Sequence, residues 1–404
     1  MMLIVALSAC GSALPQQHVS PNMASLASRA AVSCRGRAPG AADPSAIHGL
    51  MVWIDSTQET TKDPSILQYL STDPNVCGAS IIFLWSGIDK GPAAPQQYKW
   101  SIIENTIGPW VAAGKFANLL FIGVNEVGTA DTATPPWVLA QTGPNAVDTV
   151  PCPNPGKGNA GPPTPVYWEP GYGNPWRAFI KAVVAQYGKD PRIGYMRFGL
   201  GAGAEDFPQH GADANCFKTW NSKYGLTAKS WAKFSAGLTR YIGRTSHASG
   251  ATVQQIVALN PFSDPQAPYP VADHVANAAS AVGVGFGTEN LGSGNYGYVV
   301  QSCTKDDGVP YWCAAYDAHA GQVPEEFQPI NFTLQKGTHI APLPTLLRYA
   351  MYNHAQIFEL YPQEWLTADD GSYPTYPAHH VAWQRALTRA AAILGTSPIP
   401  VNVR

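Results

Sequence analysis

At 404 residues the chain is longer than one ordinary core requires, and 45% hydrophobic residues are enough to build a large one. Charged residues make up only 13%, against roughly 25% in an average domain, and the formal net charge is −2. That balance excludes the electrostatic footprint of a nucleic-acid or anionic-membrane binder, whereas abundant Trp, Tyr, Gly and Pro suit a neutral, polyhydroxylated ligand.

In chain order, residues 1–10 form a short apolar run ending Leu7-Ser8-Ala9-Cys10. It is similar to a signal segment with the lipobox of bacterial lipoproteins, although the usual basic start is missing. The resemblance implies export and a lipid anchor at Cys10, hence an extracellular or cell-envelope location. The run is too short to span a bilayer. Residues 11–45 are rich in Ser, Ala and Pro without a period and read as a tether or irregular arm. The six cysteines beyond Cys10 are an even set, as expected of disulfides in an exported chain. Cys303 with Cys313 is the local pair; Cys34 with Cys77 would pin the arm to the following domain.

From residue 46 to 404 apolar strand-like runs alternate with helical patterns. The strands are expected at His48–Asp55, Gly78–Trp85, Asn118–Asn125, Ile193–Leu200, Gln255–Asn260, Val282–Gly287, Gln322–Gln328 and Ala355–Leu360. Helical patterns fall at Trp100–Ala113, Trp176–Tyr187, Ser230–Thr245, Val271–Ala281, Pro344–Asn353 and Val381–Leu394. Continuous apolar strands separated by helices predict a parallel sheet, and eight of them predict an α/β fold, a (β/α)8 TIM barrel of one domain with long βα loops. The alternative is an open doubly wound sheet. The loop from Val127 to Gly173 is long enough to suggest function.

In such a barrel, reacting groups project from the C-terminal ends of different strands. The run Ile193 to Leu200 passes through Gly201-Ala202-Gly203-Ala204 to Glu205 and Asp206, which delivers a carboxylate where the fourth strand ends. The spaced glycines miss the dinucleotide fingerprint, because the third falls one position early and Pro208 follows. Other acids and amides fall at the same rim: Asn125 and Glu126, Asn260, Glu289 and Asn290, then Glu325 and Glu326. Cleavage of a glycosidic bond needs this inventory, one carboxyl protonated to give a proton and one ionised to attack or activate water. No metal site and no cofactor are expected.

The segments around Glu205 and Glu326-Phe327-Gln328 resemble the clan of retaining glycoside hydrolases on (β/α)8 barrels, notably its β-galactosidase-like members. The resemblance implies Glu205 as acid/base after strand four and Glu326 as nucleophile at the end of strand seven. It departs at Ala204, where that clan carries Asn. Glu325 is a rival to Glu326, because a one-residue slip turns a strand side chain to the other face. Glu359, beside Arg348, is a second rival.

The candidate substrate contacts are Trp53, Trp85, Trp168 and Trp365 as stacking faces, with Asn125, Glu126, Asn260, Glu289, Asn290 and His319 as polar groups. The expected partner is an oligo- or polysaccharide, bound by a monomer. The competing function is a non-catalytic carbohydrate-binding lipoprotein on the same scaffold.

Overall fold

The computed structural model describes residues 48–55, 64–125, 132–151, 163–206, 208, 214–259, 271–291, 312–329, 333, 341–352, 355–369 and 379–394. Its strands are β1 (Gly49–Ile54), β2 (Val76–Leu84), β3 (Phe116–Ile122), β4 (Thr149–Pro151), β5 (Pro163–Pro165), β6 (Ile193–Phe198), β7 (Gln254–Ala258), β8 (Gly285–Leu291), β9 (Glu325–Pro329) and β10 (Ile357–Leu360). Eight of these close into a barrel in the order β1, β10, β9, β8, β7, β6, β3, β2, every barrel pair being parallel. The fourth to eighth barrel strands are therefore β6 to β10. The remaining two, β4 and β5, pair antiparallel inside the long third loop.

The helices are α1 (Pro64–Thr72), α2 (Trp85–Ile88), α3 (Ser101–Ala112), α4 (Pro136–Leu139), α5 (Pro170–Tyr187), α6 (Ala214–Tyr224), α7 (Ala228–Ser249), α8 (Val271–Ser280), α9 (Trp312–His319), α10 (Leu343–Tyr352), α11 (Pro362–Asp369) and α12 (His380–Leu394). The expected (β/α)8 architecture is thus present. Helix α7 shows how local sequence sets the limits. Thr227 and Ser230 cap its start reciprocally, and Gly250 ends it in a left-handed conformation with φ 61°.

Strand parity divides the core in two. Successive side chains of a strand point to opposite faces, so Leu50, Val52 and Ile54 join the layer beneath the helices, with Phe121, Phe198 and Phe327. The intervening Met51 and Trp53 join a smaller cluster inside the barrel with Leu120, Tyr195, Ile256, Ile357 and Tyr361. Each large apolar side chain so enclosed stabilises the fold by roughly 1.5–3 kcal/mol.

Two expected boundaries shift. Strand β8 begins at Gly285 rather than Val282, because Gly283 turns the chain with φ 67°. Strand β9 begins at Glu325 rather than Gln322. Gly321 is left-handed with φ 72° and Gln322 N–H still closes a turn onto the His319 carbonyl at 2.9 Å. Pro324 then has no N–H to offer a ladder. Glu289 and Asn290 therefore lie within β8, and Glu326 is the second residue of β9 rather than near its end.

Candidate active site

The parity that sends Phe327 outward sends Glu326 inward. The register places it opposite Gly287 on β8 and Ile357 on β10. Glu325 shares the outer face with Phe327 and is buried there, which separates the two rivals. Glu359 lies between Phe358 and Leu360, both of the outer layer, and therefore also points into the barrel.

Arg197, from the fourth barrel strand, lies between the two interior carboxylates. Its Nη1 is 3.2 Å from Glu326 Oε2 and 3.4 Å from Glu359 Oε2, and all three side chains are almost wholly buried. The ion pair that holds Glu359 is thus this one across the barrel, not the neighbouring Arg348 that sequence proximity suggested. Burying such charges is tolerable only because they are paired, and removing one partner of such a set typically costs about 3–5 kcal/mol.

A hydrogen-bonded chain leads into this group. Asn118 Nδ2 donates to Ser80 Oγ at 3.1 Å, and Ser80 Oγ lies 2.7 Å from Tyr195 Oη. Tyr195 Oη in turn donates to Glu359 Oε1. Burial first, then the charges of Glu359 and Glu326, push the Tyr195 phenol well above its ordinary value. It stays protonated, its one hydrogen goes to the carboxylate, and Ser80 must be the donor to its oxygen. Burial first, then the charges of Glu326 and Glu325, also raise Tyr316 on α9.

Shape fixes Glu326 as closely as charge does. A Cβ built on Gly287 would lie 1.9 Å from Glu326 Oε2 and 2.8 Å from both its Cβ and Cδ. The carboxylate occupies the room that glycine leaves. One interior position nearer the mouth, Gln328 Nε2 meets Tyr361 Oη at 3.4 Å, and Tyr361 packs edge-on against Trp53 at 4.9 Å.

The chain leaving β6 builds the second carboxylate position. Ala202 bridges in parallel to Val124, and Gly203 N–H donates to the Val124 carbonyl at 3.1 Å. Gly203 and Ala204 are then both left-handed, with φ 65° and 72°. Ala204 is alone among the described non-glycine residues in this, at a cost of about 1–2 kcal/mol, and strain of this kind gathers at functional sites. The turn folds back so far that a Cβ on Gly199 would meet Ala204 Cα at 2.7 Å. Glu205 follows and is 6% exposed. Asp206 turns to the helix layer beside Ser235 and Trp231 of α7, whose indole N–H donates to the Asp206 backbone carbonyl at 3.2 Å; burial raises its carboxyl well above the usual range, and the polar groups of those two neighbours oppose the rise.

Several expected contacts are placed elsewhere. Trp85 opens α2 and is fully buried, its indole N–H donating to Asp89 Oδ2 at 3.0 Å while Trp137, Tyr172, Trp176 and Phe179 surround its rings. Trp365 on α11 is likewise enclosed. Neither offers a free face, which corrects their reading as stacking platforms. Trp168 is half-buried among Tyr167, Trp220, Tyr224 and Trp231, outside the barrel.

His319 closes α9 where the chain turns towards the start of β9, with Nδ1 3.3 Å from Gln322 Oε1, so it belongs to the end opposite the strand exits. Asn125 Nδ2 donates to Thr132 Oγ1 at 3.0 Å beyond β3. Glu289 and Asn290 are placed only as backbone of β8, and Glu126 and Asn260 lie outside the described residues. So do Cys10, Cys34, Cys152 and Cys303. Trp53 alone of the aromatic candidates stands at the barrel mouth. Among the described residues no cluster of His, Cys, Asp and Glu could hold a metal ion, and no helix is long and apolar enough to cross a membrane.

Sequence reasoning missed Arg197, Tyr195, Ser80 and Asn118. The available signal was an isolated polar residue within an otherwise apolar strand: Ser80 in β2, Asn118 in β3, and Tyr195 and Arg197 in β6.

No family model matches the sequence, and no curated protein matches it. Among solved structures, the chain is similar to the catalytic domain of a β-amylase from Paenibacillus polymyxa, with TM-score 0.53 and 14% identity over 87% of this chain and 100% of that one. A β-galactosidase from the psychrophilic Marinomonas ef1 gives TM-score 0.47 and 11% identity over 87% and 62%. A glycosylated endo-β-1,4-xylanase of glycoside hydrolase family 10 from Gloeophyllum trabeum gives 0.46 and 11% over 90% and 98%. At such identities the likeness concerns the fold, and the β-amylase match supports the barrel.

Proposed function

We propose that this chain is a glycoside hydrolase of the retaining type, acting on a neutral glycan through two glutamates. Glu205 protonates the glycosidic oxygen as the bond breaks, and Glu326 attacks the anomeric carbon to form a glycosyl-enzyme. Glu205 then takes a proton from water, which releases the sugar with its configuration retained. The observation that carries this reading is Glu326 fixed inside the barrel by Arg197 and Gly287, with Glu205 delivered by a strained turn beyond the same strand that supplies Arg197. The barrel fold, shared with a β-amylase, is compatible with it.

Export, with a lipid anchor at Cys10, and action as a monomer are part of the proposal. A disulfide at Cys77 supports an oxidising compartment.

The test is hydrolysis of para-nitrophenyl glycosides of glucose, galactose and xylose in both anomeric forms, with the product anomer followed by NMR. Glu326→Gln is expected to lower turnover by several orders of magnitude. Glu205→Gln is expected to spare good leaving groups and to recover with azide, giving a glycosyl azide of retained configuration. Parent-like activity in Glu326→Gln would remove Glu326 from the mechanism.

One observation favours a second reading. Glu326 and Glu359 are 0% exposed beneath Gln328 and Tyr361, as purely structural ions would be. In that case the chain binds saccharide without cleaving it, with Trp53 at the mouth. Absence of hydrolysis by the parent together with measurable oligosaccharide binding would establish this instead.

A further inference from the structure

Glu359 and Tyr195 take no part in the chemistry proposed above, yet they are bound into the same buried group as Glu326. One guanidinium nitrogen serves both carboxylates, at 3.2 and 3.4 Å. Whatever strengthens or weakens the claim of Glu359 on Arg197 must therefore change how firmly Arg197 holds Glu326. That claim is set from the far side, where the protonated Tyr195 hydroxyl donates to Glu359 Oε1 and is itself held by Ser80 and Asn118.

We infer that Glu359 and Tyr195 are positioning residues which, through Arg197, set the ionisation and orientation of Glu326. The inference rests on the reading of Glu326 as nucleophile. Among the described residues, the charged and titratable groups bearing on Glu326 include Arg197 and Tyr195 from β6, Glu359 from β10, Glu325 from its own strand and Tyr316 from α9. Of these, Arg197 favours the ionised form of Glu326, and the carboxylates oppose it. With Glu359 present, the cation is divided. Tyr195 steadies the negative charge on Glu359 by hydrogen bonding and so reduces its demand on Arg197.

The two variants consequently act in opposite directions. Glu359→Gln removes a like charge and its competing claim on Arg197, so Glu326 ionises at lower pH. The acidic limb of kcat/KM is expected to move down by about one pH unit, the scale typical of a neighbouring charge. Tyr195→Phe removes the donor to Glu359, draws Arg197 towards it and weakens the hold on Glu326. Its acidic limb is expected to move up, by a smaller amount, with kcat reduced more than KM is raised.

The experiment is a pH series of kcat/KM for parent, Glu359→Gln and Tyr195→Phe on whichever para-nitrophenyl glycoside the parent cleaves fastest, with circular dichroism and urea titration of each. A packing role alone would lower the urea midpoints without moving the limbs apart. Limbs at the parental pH in folded variants would overturn the inference, and Tyr195→Phe decides it if Glu359→Gln does not fold. Parent-like activity in Glu326→Gln would instead overturn the reading beneath it, and the two failures are distinct.

Discussion

Gly287→Ala probes the placement of Glu326 with a single carbon. The added Cβ would start 1.9 Å from Glu326 Oε2, and real Cβ contacts almost never fall below 3.0 Å, so the carboxylate must retreat by about 1.1 Å. Rotation of the side chain alone does not relieve the overlap, because Glu326 Cβ is itself only 2.8 Å away. Strands β8 and β9 must also part slightly. Gly287 is not among the left-handed glycines, so the backbone itself accepts alanine. The effect is therefore steric, and overpacking of this kind costs about 1–3 kcal/mol. A displacement on this scale loosens the contact with Arg197 and misplaces a reacting oxygen by an amount that commonly costs roughly 10²-fold in rate. Urea titration and kcat measured on the same preparation are the assay. Gly237→Ala is the control, since its Cβ meets nothing within 4 Å in the middle of α7 and should stabilise by about 0.5–1 kcal/mol. Parental stability and activity in Gly287→Ala would show that the Glu326 carboxylate does not lie against β8.

Two further outcomes are expected. Ala204→Gly relieves the left-handed strain at φ 72° and should raise stability by roughly 0.5–1 kcal/mol once glycine's greater freedom in the unfolded chain is counted; an unchanged or lower urea midpoint would show that Ala204 is not strained. Glu364 accepts from the Thr333 N–H at 2.8 Å, and burial pushes its carboxyl from 4.5 up to about 8. Between those values the folded state holds a proton that the unfolded state has lost, so stability should fall as pH rises from about 4.5 to 8 and level off above, at no more than about 1.4 kcal/mol per pH unit. Glu364→Gln should lack this slope, and parallel melting-temperature curves for parent and variant from pH 5 to 8 would refute it.

The barrel was legible because its strands are written as unbroken apolar runs and its helices as apolar stripes, a pattern that needs no knowledge of long-range contacts. What was not legible was where each strand starts. Composition cannot show that Gly283 and Gly321 adopt left-handed turns, since the same residues occur within strands elsewhere in this chain. Those turns move Glu289 into β8 and Glu326 to the base of β9. Trp85 was misplaced for a related reason: a tryptophan at a strand end is equally suited to a rim or a core. Only the ring of Trp137, Tyr172, Trp176 and Phe179 around it decides the matter.

Glu205 drew attention in the sequence because small residues after a strand make the acids that follow them conspicuous. Arg197 and Glu359 are each the lone charge between apolar neighbours, Met196 and Phe198 in one strand, Phe358 and Leu360 in the other. A charge so flanked in a central barrel strand is committed to one face or the other, and neither is wet. It cannot remain ionised there without a counter-charge. Two such residues of opposite sign in different strands of one barrel therefore imply each other. Strand β9 adds Glu325 and Glu326 on opposite faces, and an interior arginine can reach only the one that shares its side of the wall. Parity alone leaves the choice between them open, because either register buries a glutamate. The presence of Phe327 beside Glu326 resolves it: the phenyl ring belongs with Phe286 and Tyr316 in the outer layer, and turning it inward would set an aromatic ring into the space that Gly287 leaves for a carboxylate.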